Sequence, residues 1–401
     1  MNKKILALTL AAAMTLSMAG CSSSDSSSST TTTTTEASGD ETIKVALIAT
    51  TTGDYAMYGV PVANGANLYI DELNAAGGIN GKQIEVLQYD DKADGTEAVN
   101  AFYLALDNDA TAVIGAVLTG ATIALADATY DEGMPQITAS ATSALVTQFE
   151  EDGDEIRENV FRSCFIDPFQ GEKMADYAVG ELGATTAAIF YETGSDYSEG
   201  LMASFVEKAA ELGLEIVATE AFATGDMDFS AQMTNIAAAG ADVVYLPFYY
   251  SDAGLAVTQG RAAGVTGTFM GADGMGGIAG FASAEDLEGT VYCSGYAPGS
   301  DSVLDFEAAY EATYGEAVPN MYAPLAYDAA MLLCAAIAEA EAAGLEAGSD
   351  EYKEAIIAAL AANDGTEGIT GSYSFDEYNN PIKSAAIMEL QDGVESFTGL
   401  Y

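Results

Sequence analysis

Apolar residues along this chain switch repeatedly between unbroken runs and a recurrence every three or four positions. Residues 43–50 are apolar and β-branched, and they break into Thr50-Thr51-Thr52-Gly53-Asp54, residues that favour turns and helix starts. The run predicts a buried strand ending in a loop. From Val60 onward Val62, Ala66, Leu68, Tyr69 and Leu73 recur at helical spacing until Gly77-Gly78, and residues 83–89 read as a second strand. Strand, helix and strand in that order form a βαβ unit, whose connection is right-handed in nearly all folds.

The same pattern continues. Strands are predicted at 112–118, 134–138, 186–191, 215–222, 243–247 and 267–271. Helices are predicted at 120–131, 170–182, 198–212, 229–239 and 251–263, with two late ones at 322–343 and 350–362, and residues 369–380 read as a closing hairpin. Such alternation predicts an α/β fold with mainly parallel sheets. Because the second block holds a complete set of units, it should have its own core. Two α/β lobes with more than one crossing between them follow, and their cleft is the default ligand site.

Composition narrows the function. With 12 Lys+Arg against 61 Asp+Glu the formal net charge is -49, so a nucleic-acid backbone is repelled. The chain contains no His, the commonest general base and metal ligand. No phosphate loop, GxGxxG helix start or G-x-S-x-G elbow is present, which weighs against an enzyme, cofactor or metal reading, although Asp, Glu, Lys, Cys or Tyr could still do catalytic work. Asp90-Asp91 reads as a capped strand end.

Residues 1–20 form a secretory signal: Lys3-Lys4, an apolar run of about 12 residues that is too short to span a membrane, then Met18-Ala19-Gly20-Cys21. That ending resembles the bacterial lipobox, which implies lipidation at Cys21. Residues 21–41 are a Ser/Thr-rich tether, which leans toward a Gram-positive cell surface over a Gram-negative periplasm. Of the other cysteines, Cys334 reads as a small buried hydrophobe, and a Cys164–Cys293 bridge stays open.

Taken in order, IKVALI, TGDYAMYG, GANLYIDELNAAGGINGKQIEV, YDD, GAVLTGAT, DEGMPQITASATS, FYETGSDYSEGL, DVVYLPFYYSDAG, FMGADG and GITGSYSFDEYNNP resemble the solute-binding proteins of branched-chain amino acid ABC transporters, from about Ile43 to the end. The resemblance implies a type I periplasmic binding protein fold: two Rossmann-like lobes joined by a three-crossing hinge, about 42–165 with 297–370 and about 166–296 with 371–401. It implies an extracytoplasmic monomer that takes an aliphatic L-amino acid, leucine, isoleucine or valine, by cleft closure and docks on permease subunits.

Physical reading of the motifs agrees with that expectation. Leu118-Thr119-Gly120-Ala121-Thr122 marks a strand giving way to a helix, a place for a carboxylate. Residues 138–143 form a second hydroxyl-rich strand-end loop. The family's carboxylate and ammonium contacts carry over to Thr119, Ala141 and Thr142, and also to Thr122 and Ser140. Asp273 is the expected ammonium partner, although the family usually has Glu there, so the reach would need a water or a larger ligand. Tyr58, Tyr197 and Tyr249 stand at the family's aromatic positions, with Tyr55, Phe248 and Tyr250 behind them. The Glu-to-Asp departure keeps a second ligand class open: another amino acid, an amide, urea or an aromatic acid. A sensor passing occupancy to a signalling partner is the remaining alternative.

Overall fold

The computed structural model describes residues 42–150 and 153–401, so the signal segment, Cys21 and the tether lie outside the described residues. Two parallel sheets organise the body. The first contains β1 (Ile43–Ala49), β2 (Ile84–Asp90), β3 (Ala112–Gly115), β4 (Gln136–Thr138) and β5 (Val160–Arg162) in the order β2-β1-β3-β4-β5. Helices α1 (Ala56–Ala75), α2 (Gly95–Asp107) and α3 (Thr119–Asp131) make its crossovers.

After α4 (Asp167–Gly180) the second sheet follows, with β6 (Thr186–Thr193), α5 (Asp196–Leu212), β7 (Glu215–Ala223), α6 (Ser230–Ala239), β8 (Val243–Leu246), α7 (Tyr250–Ala263), β9 (Thr268–Gly271), a short α8 (Ala284–Leu287) and β10 (Val291–Ser294). Its parallel part runs β7-β6-β8-β9-β10, the same order as the first sheet. The chain then returns to the first lobe with α9 (Leu304–Tyr314), α10 (Tyr322–Ala342), α11 (Asp350–Ala361) and a hairpin of β11 (Asp364–Gly368) and β12 (Gly371–Ser374). It crosses once more to add β13 (Ala386–Gln391) and β14 (Val394–Leu400) as antiparallel edge strands of the second sheet. Two Rossmann-like lobes joined by three crossings are therefore observed.

Some elements differ from the sequence reading. Helix α1 begins at Ala56, ahead of Val60, with Pro61 inside it. A proline has no N–H for the carbonyl four residues back. Here that carbonyl, on Met57, instead accepts the Asn320 side-chain N–H at 2.9 Å, so a contact from α10's approach replaces the missing helix bond. The late hairpin turns at Ile369-Thr370, earlier than the expected 369–380 segment. Strands β13 and β14 and helices α2 and α9 were not predicted, although α2 buries Ala98, Ala101, Phe102 and Ala105 at regular helical spacing behind the Asp94 cap. Cys164 and Cys293 are free, buried thiols, so the bridge left open by the sequence is not formed.

Packing explains α10. By length and apolarity it could cross a membrane, yet most of it is buried against α1, β3 and β4. The close approach of α1 depends on Gly65, where a Cβ would lie 1.9 Å from the Ala323 carbonyl oxygen. The start of α10 also anchors the hinge. Asp328 is fully buried, and its carboxylate accepts the Ile369 N–H at 2.8 Å, the Thr370 N–H at 2.9 Å, the Thr370 hydroxyl at 2.5 Å and the Tyr373 hydroxyl at 3.0 Å. Tyr373 in turn bonds the Ser163 carbonyl at 3.3 Å, and Lys383 bonds Thr370 and Tyr373 at 2.6 and 2.7 Å. Segments from two crossings are thus tied to one carboxylate.

Replacing Asp328 by Ala would leave two half-buried backbone N–H groups without acceptors, at a cost of about 1–3 kcal/mol. Denaturant titration should show a loss of that size, and a loss below about 0.5 kcal/mol would remove Asp328 as the anchor.

Candidate functional site

Every candidate residue sits where a strand ends. The strand order in both sheets places a topological switch at the carboxyl ends of β1 and β3 and of β6 and β8, and open α/β sheets bind ligands at such points. The loops after these strands carry Tyr58, Thr119, Tyr197 and Tyr249, and those after β4 and β9 carry Thr142 and Asp273. The two sets of loops meet. The Tyr58 hydroxyl donates to the Gly274 carbonyl at 2.5 Å and accepts the Tyr250 N–H at 3.3 Å, and the Tyr250 hydroxyl donates to the Asp54 carbonyl.

Asp273 lies at the centre of this contact. It is 2 % exposed, and its Oδ1 accepts the Tyr197 hydroxyl at 2.7 Å. That hydroxyl also accepts the Gly274 N–H at 2.8 Å, and a Cβ at Gly274 would meet it at 2.6 Å, which is why glycine follows Asp273. The Asp273 N–H is taken by Gln170 Oε1 at 2.9 Å, and its carbonyl by the Tyr322 hydroxyl at 3.0 Å. Burial pushes the Asp273 carboxyl up to about 6, against the hydrogen bond from Tyr197. Among the described residues no Lys or Arg forms an ion pair with it. The site therefore holds a buried acid with no cation of its own.

Thr119 opens α3 behind Leu118, whose side chain caps nothing, so the first N–H groups of the helix have no side-chain acceptor. Thr119 is buried and Gly120 exposed at this end. The loop after β4 is held from below by Arg162, fully buried, which donates to the Ala141 and Ser143 carbonyls at 2.9 and 3.0 Å and to the Thr147 hydroxyl at 3.0 Å. Cys164 also donates to the Ala141 carbonyl at 3.4 Å. These bonds shape the loop but do not satisfy every group: Thr142 Oγ1 and Arg162 Nε are buried and have no hydrogen-bond partner. Such atoms are rare because each costs the desolvation of a polar group.

The other predicted residues are placed less directly. Thr122 donates its hydroxyl back to Leu118 O at 2.9 Å, and Ser140 donates to Val117 O at 2.8 Å, so both protons serve the loop. The Ala141 carbonyl is directed at Arg162 and Cys164, where a contact with ligand ammonium had been expected. Tyr197 and Tyr249 stack with ring centroids 4.8 Å apart and planes 2° apart. Tyr55 and Tyr58 pack edge-on against Tyr249. Tyr250 packs on Tyr58, whereas Phe248 turns away into the core with Phe190 and Phe222.

Three site residues escaped the sequence reading. Tyr322, at the start of α10, bonds Asp273 and packs on Tyr58. Asp167, 1 % exposed, opens α4; its N–H donates to the Thr142 carbonyl at 2.9 Å. Gln170 reaches both Asp167, at 3.5 Å, and Asp273. The signal was present in Asp167-Pro168-Phe169-Gln170-Gly171, where an acid precedes a proline at a helix start, but a capping role reads the same way.

Beside these residues a cavity of about 340 Å³ opens between the lobes, lined by Tyr55, Leu118, Thr119, Gly120, Glu192, Tyr197 and Tyr249 among others. A larger one of about 530 Å³ lies on the outer side of the first lobe, among Tyr130, Asn159, Ile357 and Ala361, and includes none of the strand-end loops named above.

Two lobes joined by three crossings, whose strand ends carry a buried acid, a helix N-terminus and stacked tyrosines, have the architecture of a solute-binding protein. The chain belongs to the periplasmic binding protein family, which it matches over residues 42–395. It is 30% identical to the leucine-, isoleucine-, valine-, threonine-, and alanine-binding protein of Pseudomonas aeruginosa, over 84% of this chain and 86% of that protein. The crystal structure of the leucine binding protein LivK from Thermotoga maritima superposes with a TM-score of 0.80 at 30% identity, covering 89% of this chain and 98% of that one. The branched-chain amino acid transporter substrate binding protein LivJ from Streptococcus pneumoniae, solved with isoleucine, gives 0.79 at 33% identity, covering 89% and 99%.

The raised Asp273 carboxyl has a stability consequence. The unfolded chain ionises this group near its ordinary 3.8, the folded chain only near 6, so folding is disfavoured above about pH 6 and the penalty fades as pH falls toward about 4. Asp273→Asn, whose amide oxygen can still accept from Tyr197, should stabilise the ligand-free protein at pH 8 by up to about 3 kcal/mol. Unfolding titrations should show that gain vanish near pH 4; an equal gain at both pH values would contradict the assignment.

Proposed function

We propose that this chain is the extracytoplasmic solute-binding component of an ABC importer and that it captures an L-amino acid, with leucine, isoleucine or valine as the leading ligands. The observation that carries the reading is Thr142 Oγ1, a buried hydroxyl without a partner in a loop that Arg162 otherwise satisfies. Together with the free first turn of α3 it suits a carboxylate, while Asp273, lacking any cation, suits an ammonium.

In the proposed cycle the first lobe takes the ligand with Tyr58, Thr119, Thr142 and the supporting Thr122, Ser140 and Ala141. The second lobe closes over it with Tyr197, Tyr249 and Asp273. The lobes are taken as about 42–165 with 297–370 and about 166–296 with 371–401. The protein binds and delivers without chemistry; it acts as a monomer, is tethered through a lipid on Cys21 and hands its ligand to the permease subunits. The names of the Pseudomonas, Thermotoga and Streptococcus relatives support the ligand class. The second reading, another amino acid, an amide, urea or an aromatic acid in the same cleft, is favoured by the short Asp273 side chain, whose Oδ1 already accepts from Tyr197.

Calorimetry across an amino-acid panel tests the ligand class: binding of leucine, isoleucine or valine supports it, and silence across all three sinks it. The hydroxyl itself is tested by Thr142→Val, a substitution of similar shape. Because that hydroxyl makes no bond inside the protein, the variant should keep or slightly gain stability while losing at least tenfold in ligand affinity. Unchanged affinity would take Thr142 out of the site.

A further inference from the structure

The cavity between the lobes is lined both by Thr119 and Gly120 with the uncapped first turn of α3 and by the acids Asp94, Asp196 and Glu192. Of these three, Asp94 caps α2 by accepting the Glu97 N–H, and Asp196 lies in the first turn of α5. Glu192, at the end of β6, is only 6 % exposed; its Oε1 accepts the Thr224 hydroxyl at 2.5 Å and its own N–H is held by Ser198 Oγ at 2.9 Å. Beside it Asp252 is pushed up to about 6, first by burial and then by Glu192 and Asp54. Among the described residues no ion pair reaches Glu192 or Asp252. The tyrosine faces of Tyr55, Tyr197 and Tyr249 lie on the same cavity.

We propose that Glu192 is a specificity-determining residue of the cleft, and that it extends the ligand range to L-amino acids whose side chains end in a cation. The proposal rests on the amino-acid reading of the cleft given above. A leucine side chain covers tyrosine surface and stops short of any charge, so it leaves Glu192 buried and unpaired. A lysine side chain offers the same apolar cover with its methylenes and places an ammonium beyond them, where a buried carboxylate without a cation is otherwise unfavourable. Aromatic faces beside the path add a favourable contact for that cation.

The overall charge of -49 attracts any cation to the surface and must be separated from this local effect. Norleucine provides the comparison, since it has lysine's carbon chain without the ammonium. Glu192→Gln supplies the second control: it keeps an acceptor for Thr224 and removes one of 61 acids. Calorimetry with leucine, norleucine and lysine at physiological salt should show lysine binding at least tenfold tighter than norleucine, and Glu192→Gln should cut that ratio at least fivefold. Norleucine matching lysine, or a ratio that Glu192→Gln leaves intact, overturns the proposal. Leucine binding with no lysine binding overturns this inference alone, whereas failure of all three ligands overturns the amino-acid reading beneath it.

Discussion

A carboxylate buried without a cation governs this structure. Asp273 sits almost entirely out of water, with a tyrosine hydroxyl on Oδ1 and a carboxyl group pushed toward neutrality by its surroundings. A fold selected for stability alone would place an apolar residue there or supply a lysine. Instead four tyrosines are committed to the neighbourhood: Tyr197 to the carboxylate, Tyr322 to the Asp273 carbonyl, Tyr58 to the Gly274 carbonyl and Tyr249 stacked on Tyr197. The buried Asp273 carboxyl and the unpartnered Thr142 hydroxyl each cost folding stability, yet the protein retains both.

The duplicated topology explains how two distant parts of the chain come to share that pocket. Each lobe repeats the strand order that creates a switch point, and each exposes its loops at the carboxyl ends of the strands. Because three crossings join the lobes, neither can slide past the other, and the remaining freedom is a hinge. The Asp328 cluster lies on that hinge, binding Ile369, Thr370 and Tyr373 directly and Ser163 through Tyr373. In the proposed cycle, two lobes and a defined hinge would convert ligand binding at strand ends into a change of lobe orientation.

Much of this was legible in the sequence because strand-end loops interrupt a strong periodic pattern. Residues 43–50 and 112–118 are apolar enough to be strands in any context, and the Thr, Gly and Tyr that follow stand out against them. The supporting residues were not legible for the opposite reason. Arg162 is one of 12 basic residues, and nothing local says that it is fully buried under the 141–147 loop. Asp167 looks like a helix cap, Tyr322 like the first residue of an apolar helix, and both acquire their roles from elements far away in the chain. Strand β14 was missed because its edge position leaves many residues exposed, and β13 because it is buried between two neighbours and so lacks alternation.

The distinction between contact and support also bears on the ligand. Ala141, Thr122 and Ser140 were named because they lie in the right loops, yet their polar groups are engaged by Arg162, Leu118 and Val117. What those bonds achieve is to hold Thr142 in place while its own hydroxyl stays unsatisfied. The same logic separates Glu192 from the many acids on the surface, since it is buried, faces the cavity and has only a hydroxyl for company. Within a binding cleft the groups most informative about the absent ligand are those that the protein has desolvated and left incompletely paired. On the proposed amino-acid reading, Thr142 and Asp273 would meet the part common to all α-amino acids, and Glu192 the part in which they differ.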